Sequence, residues 1–151
     1  MSQSLTNLLV HIIFSTAERH PFLCNVSLRN DLHRYLGGIV NEKGGHSLGI
    51  GGVDDHVHLL VSQPKTLSIA DLVRDLKRSS SLWIKQKEAA MNHFAWQGGY
   101  GAFSVGQGEI AIVQNYIQNQ MEHHKTRSFQ DEYLAFLKKY GVAYDERFLW
   151  E

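Results

Sequence analysis

DDHVHLLV, residues 54–61, places two histidines two positions apart in a short, apolar run. The aspartates are turn residues, and the run that follows them is typical of a buried strand. Successive side chains of a strand point to opposite faces, so His56 and His58 share one face and the intervening apolar residues line the other. We therefore predict a hairpin, in which a glycine-weakened strand at 46–53 is followed by a return strand at 56–63.

The flanking sequence supplies the remaining elements of an α+β fold. Further strands are expected at 7–15 (NLLVHIIFS) and within the aromatic, glycine-rich residues 93–105. Apolar positions at helical spacing predict helices at 27–42, 68–87 and 109–124 and a shorter one from Ser128 to Gly141. The order strand, helix, strand, strand, helix, strand is the ferredoxin-like split βαβ pattern with an antiparallel sheet. Helices are appended at the C-terminus, and the first of them carries Tyr116.

Length and composition limit the class of protein. The 151 residues suit a single domain, with a core at about 7–125 and a C-terminal helix and tail at about 126–151. The lone Cys24 excludes a disulfide framework and a cysteine-based zinc site. No long apolar run or secretory signal is present, so we expect a soluble, cytoplasmic protein.

Net charge and histidine content indicate different things about function. The chain has 15 Lys and Arg against 15 Asp and Glu, and this zero net charge argues against a protein that coats nucleic acid electrostatically. The nine histidines point towards metal or proton chemistry. His56 and His58 can converge on one cation, or they can be half-exposed strand residues that bond to their neighbours, and an H-x-H pair alone leaves both interpretations open.

Tyr116 and Gln120 are four residues apart on the third predicted helix, and so they share one helix face beside the apolar stripe. Taken alone, each is more often a packing or solvated residue than a functional one. Together with the two histidines they indicate a site, because a nucleophilic tyrosine needs an electrophile that a cation has polarised. The Gln120 amide oxygen would complete a His-His-Gln ligand set with positions open for phosphate oxygens.

Three motifs in this order carry a family resemblance. They are His56-Val57-His58, Trp96-Gln97-x-Gly99-Tyr100-x-x-Phe103-Ser104-Val105 and Tyr116-Ile117-x-x-Gln120. Over residues 8–125 the chain resembles the single-tyrosine HUH transposases of the smallest bacterial insertion sequences, including relatives associated with repetitive extragenic palindromes. The conjunction of the three motifs is far more specific than any one of them.

The resemblance implies an enzyme that cleaves and rejoins single-stranded DNA near hairpins. It implies that His56, His58 and Gln120 hold Mg²⁺ or Mn²⁺, and that Tyr116 attacks a phosphodiester to give a 5′-phosphotyrosine and a free 3′-hydroxyl. It also implies a homodimer in which the tyrosine helix of one subunit can complete the site of the other. Whether Tyr116 acts in cis or in trans is therefore open.

Candidate DNA contacts follow from charge and aromatic content. The second predicted helix carries five basic residues against one acid between positions 74 and 87: Arg74, Lys77, Arg78, Lys85 and Lys87. This is either a phosphate-binding face or an ordinary solvated helix surface. Arg19 adds a cation, and Trp96 a surface on which an unpaired base could stack, although aromatic residues in such numbers are more often core.

Two further points stay open in the sequence. The acidic pair Asp54 and Asp55 could repel phosphate or could orient the imidazole of His56. His123 and His124 follow Tyr116 on the same flank, and we expect them to be exposed rather than to contact phosphate or accept protons.

Other functions compete with DNA transposition. A histidine-triad nucleotide hydrolase needs a third histidine where Leu60 stands. A ferredoxin-like binding or regulatory domain leaves the Tyr116 and Gln120 spacing unexplained. A domesticated or inactive transposase that still binds hairpin DNA is compatible with the sequence.

Overall fold

The computed structural model describes residues 2–151, and a four-stranded antiparallel sheet organises them. The strands are β1 (Leu9–Ser15), β2 (His46–Gly52), β3 (His56–Ser62) and β4 (Gly101–Ser104), in the order β2-β3-β1-β4. The apolar strands β1 and β3 occupy the centre, where both faces are covered. The predicted α+β, ferredoxin-like fold is confirmed.

Two long helices cover one face of the sheet. Asn25 caps α1 (Val26–Glu42) and Ser68 caps α2 (Ile69–Lys87), each through a side-chain oxygen that accepts a first-turn backbone N–H. The main core lies between these helices and the sheet residues that alternate with the histidines, such as Val57 and Leu59. Within residues 2–151 no helix is both long enough and apolar enough to cross a bilayer.

The opposite face, which carries His56 and His58, is covered by the C-terminal helices. These are α3 (Ile110–Gln118), α4 (Gln120–His123), α5 (Phe129–Lys139) and α6 (Glu146–Leu149). A second, smaller core joins the sheet to α5 through Ile13, Phe103, Phe129 and Leu137. The histidine face is therefore an enclosed layer rather than a solvent-facing one.

The glycines of β2 allow α3 to pack directly on the sheet. Gly51 pairs with His58 across the β2–β3 ladder, so both face the C-terminal helices. A Cβ atom at Gly51 would lie 2.4 Å from the carbonyl oxygen of Ile117 and 2.9 Å from its side chain. A side chain at this position would push α3 away, so the close approach sets where the neighbouring Tyr116 lies.

The third predicted helix is wrong as a single element over 109–124. It breaks at Asn119, whose φ and ψ of −97° and 23° leave the helical region. The Asn119 N–H is shared between the carbonyl oxygens of Asn115 at 3.2 Å and Tyr116 at 3.3 Å. This tighter turn separates Tyr116 on α3 from Gln120, the first residue of α4.

The fourth strand lies within the predicted residues 93–105 and ends near Val105, as expected. It begins at Gly101, after the left-handed Gly99 (φ 80°). In the preceding segment Trp96 forms only an isolated bridge to Thr16. The predicted fourth helix from Ser128 is present as α5, and the tail docks through Gln97, whose side-chain amide donates to the Trp150 carbonyl at 2.8 Å.

Candidate active site

The two strand histidines are fully buried, and each is held through its Nδ1 atom. His56 Nδ1 lies 2.7 Å from a carboxylate oxygen of Asp55, and His58 Nδ1 lies 2.8 Å from Nε2 of His11. Both Nε2 atoms are directed at one point under α5, and with a cation bound there an N–H at each Nδ1 would donate to these partners. The sequence left open whether the acidic pair repels phosphate or orients an imidazole. In the structure Asp55 orients the imidazole of His56.

Sequence reasoning missed His11. It lies on β1 on the same face as Ile13, whose Cα is paired with that of His58, and it is only 2% exposed. The available signal was a single polar residue in the apolar run at 8–14, on the strand that the fold places beside the histidine pair. Its contact with His58 shows why a histidine is tolerated there.

Glu132 of α5 was missed as well, and it contacts more of the site than any predicted residue. Its Oε1 lies 2.9 Å from His58 Nε2, 3.4 Å from His56 Nε2 and 3.3 Å from His124 Nε2. Its Oε2 accepts the hydrogen bond of the Tyr116 hydroxyl. The carboxylate is 1% exposed and thus joins the histidines to the tyrosine.

Gln120 is brought to the histidines, as its spacing suggested. Its side chain is 1% exposed, and its Oε1 lies 3.1 Å from His56 Nε2 and 3.0 Å from His124 Nε2. The expectation that His123 and His124 are exposed is wrong, since both are half-buried. The ring of His123 stacks on that of Tyr116 with centroids 4.5 Å apart, so both histidines border the site.

Tyr116 reaches the histidines of its own chain. Its ring centroid is 5.8 Å from that of His58 and 6.4 Å from that of His11, both in edge-to-face arrangements. The side chain is half-buried, and its hydroxyl points at Glu132. Sequence spacing left cis and trans arrangements open, and in this single chain the tyrosine lies beside the histidine pair.

Burial and close charges shift the ionisation of these groups. Burial lowers the pKa of His58 to about 4 and that of His11 to about 3. Burial also opposes charge on His56, but hydrogen bonds to Asp55 and Glu132 outweigh it and raise that pKa to about 9. His56 is therefore charged at neutral pH in this state, and a cation binding at its Nε2 must displace a proton.

The carboxylate and the phenol shift in opposite directions. Burial disfavours the ionised carboxylate of Glu132, but hydrogen bonds from His124, His56 and His58 hold its pKa well below the usual range. Burial and the adjacent Glu132 carboxylate raise the pKa of the Tyr116 phenol above its ordinary value near 10. The phenol is thus protonated in this arrangement.

The donor set fits a divalent cation. Ligand atoms of His56, His58 and Glu132 all lie within 4.8 Å of one another, and Gln120 adds an amide oxygen beside them. Two imidazoles, one carboxylate and one amide oxygen give a mixed nitrogen and oxygen donor set of the kind that binds divalent metal ions. The predicted His-His-Gln set is therefore joined by a carboxylate that the sequence motif did not contain.

The predicted DNA contacts lie apart from this centre. Helix α2, which carries Arg74, Lys77, Arg78 and Lys85, packs on the sheet face opposite the histidines. Lys77 is engaged inside the protein, because its Nζ donates to the carbonyl oxygens of Gln97 at 2.7 Å and Gly99 at 2.5 Å. Burial lowers the pKa of Lys77 to about 8.

Several of the other predicted contacts also have partners within the chain. Arg74 pairs with Asp71 at 3.1 Å, while Arg78 and Lys85 are exposed on the surface of α2. Arg19 lies 5.6 Å from the ring centroid of Trp150. Trp96 is half-buried, and its indole N–H donates to Ser80 at 2.9 Å. These contacts favour structural roles for Lys77 and Trp96, and DNA contact by any of the six stays a prediction.

Comparison with known proteins bears on this arrangement. A family model described as "Transposase IS200 like" matches residues 4–120, well over half of the chain. The chain belongs to the IS200-like transposase family. The resemblance drawn from the three sequence motifs is thereby confirmed, and the match includes the histidine pair, Tyr116 and Gln120. Helices α5 and α6, and with them Glu132, lie beyond the matched residues.

Individual relatives agree with the family. This IS200-like transposase is 28% identical over 115 residues to the ISDra2 transposase TnpA of Deinococcus radiodurans, covering 73% of this chain and 81% of that protein. It is 32% identical over 76 residues to the transposase for insertion sequence element IS200 of Salmonella typhimurium. That second match spans 47% of this chain and 49% of the relative.

Solved structures share the fold. The crystal structure of a putative transposase from Deinococcus radiodurans aligns with a TM-score of 0.60 and 26% identity, over 80% of this IS200-like transposase and 98% of that chain. A REP-associated tyrosine transposase bound to a REP hairpin aligns with a TM-score of 0.58 over 82% and 74% of the two chains. At 11% identity the second likeness shows the fold alone.

Proposed function

We propose that this IS200-like transposase cleaves and rejoins single-stranded DNA near hairpins through a 5′-phosphotyrosine at Tyr116, with Mg²⁺ or Mn²⁺ bound by His56 and His58. The single observation that carries the proposal is the position of the Tyr116 hydroxyl. It bonds to Glu132, the same carboxylate that lies 2.9 Å from His58 Nε2. Nucleophile and cation ligands are thus in one cluster, as the reaction requires.

The ligand set in this proposal is His56, His58 and Gln120, with Glu132 as a fourth donor. Asp55 and His11 support it by fixing the two imidazoles from behind. When bound, the cation supplies Lewis-acid polarisation of the scissile phosphate and offsets charge on the leaving oxygen. The nucleophile and the groups that orient it are side chains of this protein.

The strand-cleavage step exchanges one phosphodiester for another. The Tyr116 oxygen forms a bond to phosphorus as the bond from phosphorus to the 3′-oxygen breaks. The phenolic proton leaves, and the 3′-oxygen gains one to become a free hydroxyl. Glu132 Oε2 accepts the hydrogen bond from that phenol, so it orients the proton that the phenol must lose. Reversal with another 3′-hydroxyl rejoins DNA and needs no external energy source.

The DNA partner in this proposal is a hairpin flanked by a single strand. The bound REP hairpin of one structural relative supports this substrate class. The exposed cations Arg78 and Lys85 are on the face of the sheet opposite Tyr116, so they would contact the hairpin and not the scissile phosphate. A chain of zero net charge suits such a localised interaction better than uniform coating of DNA.

The proposed site is assembled in cis. Tyr116 already contacts Glu132 and His123 of its own chain. The homodimer that the family resemblance implies stays a prediction, and on this proposal each of its subunits holds a complete site. Cytoplasmic localisation also stays a prediction.

A denaturing gel tests the proposed function. A 3′-labelled single-stranded oligonucleotide that carries the hairpin flanking the gene is incubated with the protein and Mn²⁺. The proposal expects a label that migrates with the protein, because the 5′-phosphate of the downstream fragment stays on Tyr116. Tyr116→Phe should abolish this band, and Tyr144→Phe, in the exposed tail, should not. A band of equal strength with Tyr116→Phe would exclude Tyr116 as nucleophile.

A domesticated or inactive relative remains the second candidate. It predicts hairpin binding without the covalent band. All four of the motif residues His56, His58, Tyr116 and Gln120 are present and gathered in one place, which favours the active enzyme. A hydrolase of the histidine-triad type is disfavoured, because Leu60 occupies the third same-face position of β3.

A further inference from the structure

A pocket of about 250 Å³ opens beside Tyr116, and neither the sequence motifs nor the proposed chemistry uses it. Helices α3 and α5 form its walls and His11 of β1 contributes to its lining. Tyr116 and Glu132 lie at one part of this pocket, and Lys139 and Tyr140 also line it. Along α5, Glu132 and Lys139 are seven residues apart, which corresponds to about 10 Å of helix.

The lining is chemically mixed in a way that suits a nucleotide. Phe136 and Tyr140 offer aromatic surface. The charged lining residues are the exposed cations Arg127 and Lys139 and the acids Glu109 and Glu132. Bases stack on aromatic rings whatever their identity, and cations hold the flanking phosphates. The volume lies below the roughly 300–1,000 Å³ of sites for drug-sized ligands, so it suits one unpaired nucleotide and is too small for a base pair.

The position of the pocket selects which nucleotide enters. In-line displacement puts the leaving 3′-oxygen on the far side of phosphorus from the Tyr116 oxygen. The pocket is on the side of the tyrosine. The nucleotide that remains attached through its 5′-phosphate is therefore the one that can reach it, whereas the upstream nucleotide leaves on the other side.

We propose that this pocket, between α3 and α5, holds the base of the unpaired nucleotide immediately downstream of the scissile phosphate. The inference rests on the proposed function for its place in the reaction. It assigns α5 a second task beyond supplying Glu132, namely to select an unpaired base at the cleavage point. Because α5 lies outside the family-matched residues 4–120, the pocket is built partly from sequence that the family model does not contain.

A binding experiment without any cleavage tests the pocket. The probes are the four deoxynucleoside 5′-monophosphates, and 2-deoxyribose 5-phosphate is the matched probe without a base. Ligand-observed NMR titrations with the full chain should show at least tenfold tighter binding for one or more nucleotides than for the sugar phosphate. Equal binding of all probes would overturn the proposal.

Variants locate the binding. Ala135 lines the pocket from an exposed position of α5, so Ala135→Trp fills the space without a buried residue being changed. It should remove the advantage of the nucleotides over the sugar phosphate. Lys139→Ala should weaken nucleotide binding several-fold, while Lys138→Ala, an exposed neighbour outside the pocket lining, should leave it unchanged. Unaltered nucleotide binding in both pocket variants would place the nucleotide elsewhere.

A cleavage arm separates this inference from the proposed function. An abasic site at the nucleotide downstream of the cleavage point should slow adduct formation at least tenfold in the wild type and have little further effect in Ala135→Trp. If the adduct forms at an equal rate with and without the base, the pocket assignment fails although Tyr116 remains the nucleophile. If no adduct forms at all, the proposed function fails while the nucleotide titrations still report on the pocket.

Discussion

Tyr116 donates its hydroxyl hydrogen to one oxygen of Glu132, and the other oxygen of that carboxylate lies 2.9 Å from His58 Nε2. One side chain thus couples the candidate nucleophile to the candidate metal ligands. The coupling has two consequences in the ligand-free state: the phenol stays protonated, and the carboxylate stays ionised among histidines. A cation bound by Glu132 would weaken the hydrogen bond between this carboxylate and the Tyr116 hydroxyl.

Replacement of Glu132 by glutamine should affect both partners. Removing the negative charge should weaken Mn²⁺ binding at least tenfold, since a charged ligand atom is lost. It should also lower the pKa of the Tyr116 phenol, because the carboxylate that opposes phenolate is gone. EPR detection of free Mn²⁺ during a titration measures the metal affinity. Ultraviolet difference spectroscopy of tyrosine over a range of pH measures the pKa of the phenol. Glu122→Gln, on an exposed part of α4, is the matched control, and equal Mn²⁺ affinity in both variants would refute Glu132 as a ligand.

His11→Phe should reduce Mn²⁺ affinity although His11 is not a proposed ligand. The replacement keeps an aromatic ring against Phe136 but removes the ring nitrogen that lies 2.8 Å from His58 Nδ1. Loss of such an orienting partner typically costs roughly tenfold to a hundredfold in metal affinity. The exposed His93→Phe serves as control. Unchanged affinity in His11→Phe would mean that His58 does not need this contact to face the site.

Gly51→Ala should displace α3 and slow adduct formation. The added Cβ would lie 2.4 Å from the Ile117 carbonyl oxygen, so the helix that carries Tyr116 must move. A shift of about 1 Å in a reacting group can cost roughly a hundredfold in rate. Gly38→Ala on α1, where an added Cβ meets nothing within 4 Å, should leave the rate unchanged. Single-turnover adduct kinetics compare the two, and equal rates would show that α3 placement does not limit the chemistry.

His33→Leu should stabilise the protein, most strongly in acid. Within residues 2–151 the buried Nε2 of His33 has no hydrogen-bond partner, and burial lowers its pKa to about 4. Between about pH 6.5 and 4, His33 is therefore protonated in the unfolded chain but neutral in the folded chain. The wild type loses stability as the pH falls through this range. We expect the free energy of unfolding of the variant to be higher by about 1 kcal/mol at pH 7.5, with a gap that widens by pH 5.5. Urea unfolding at the two pH values measures it, and a gap that is constant with pH would contradict the cause given.

Much of the fold was predictable because strands and helices leave local patterns of apolar residues in the sequence. Strand alternation fixed which face carries His56 and His58, and helical spacing with the Ser68 and Ser128 caps located α2 and α5. The break at Asn119 was not visible, because the apolar period continues through it and only packing on β2 reveals the shift. The start of β4 could not be predicted within residues 93–105, because glycine-rich extended backbone resembles a strand until its pairing is known.

The candidate site was only partly predictable for a similar reason. His56 and His58 are local, and Tyr116 with Gln120 are close in sequence, so spacing could relate them. Glu132 follows Tyr116 by 16 residues and joins the site only through the docking of α5. The available signal was a carboxylate three residues after Phe129 and four before Phe136, within the apolar stripe of its helix. Such a residue at a buried position needs partners, and the histidines provide them.

The claim that one chain assembles the whole site can be tested most directly by mixing two inactive variants. Tyr116→Phe lacks the nucleophile and His58→Ala lacks a ligand, so neither should form the covalent band alone. The cis geometry predicts that an equimolar mixture, after subunit exchange, also forms no protein-linked DNA. Recovery of about a quarter of the wild-type adduct, the share of intact sites expected from mixed two-fold dimers, would contradict it and assign Tyr116 to the partner's site.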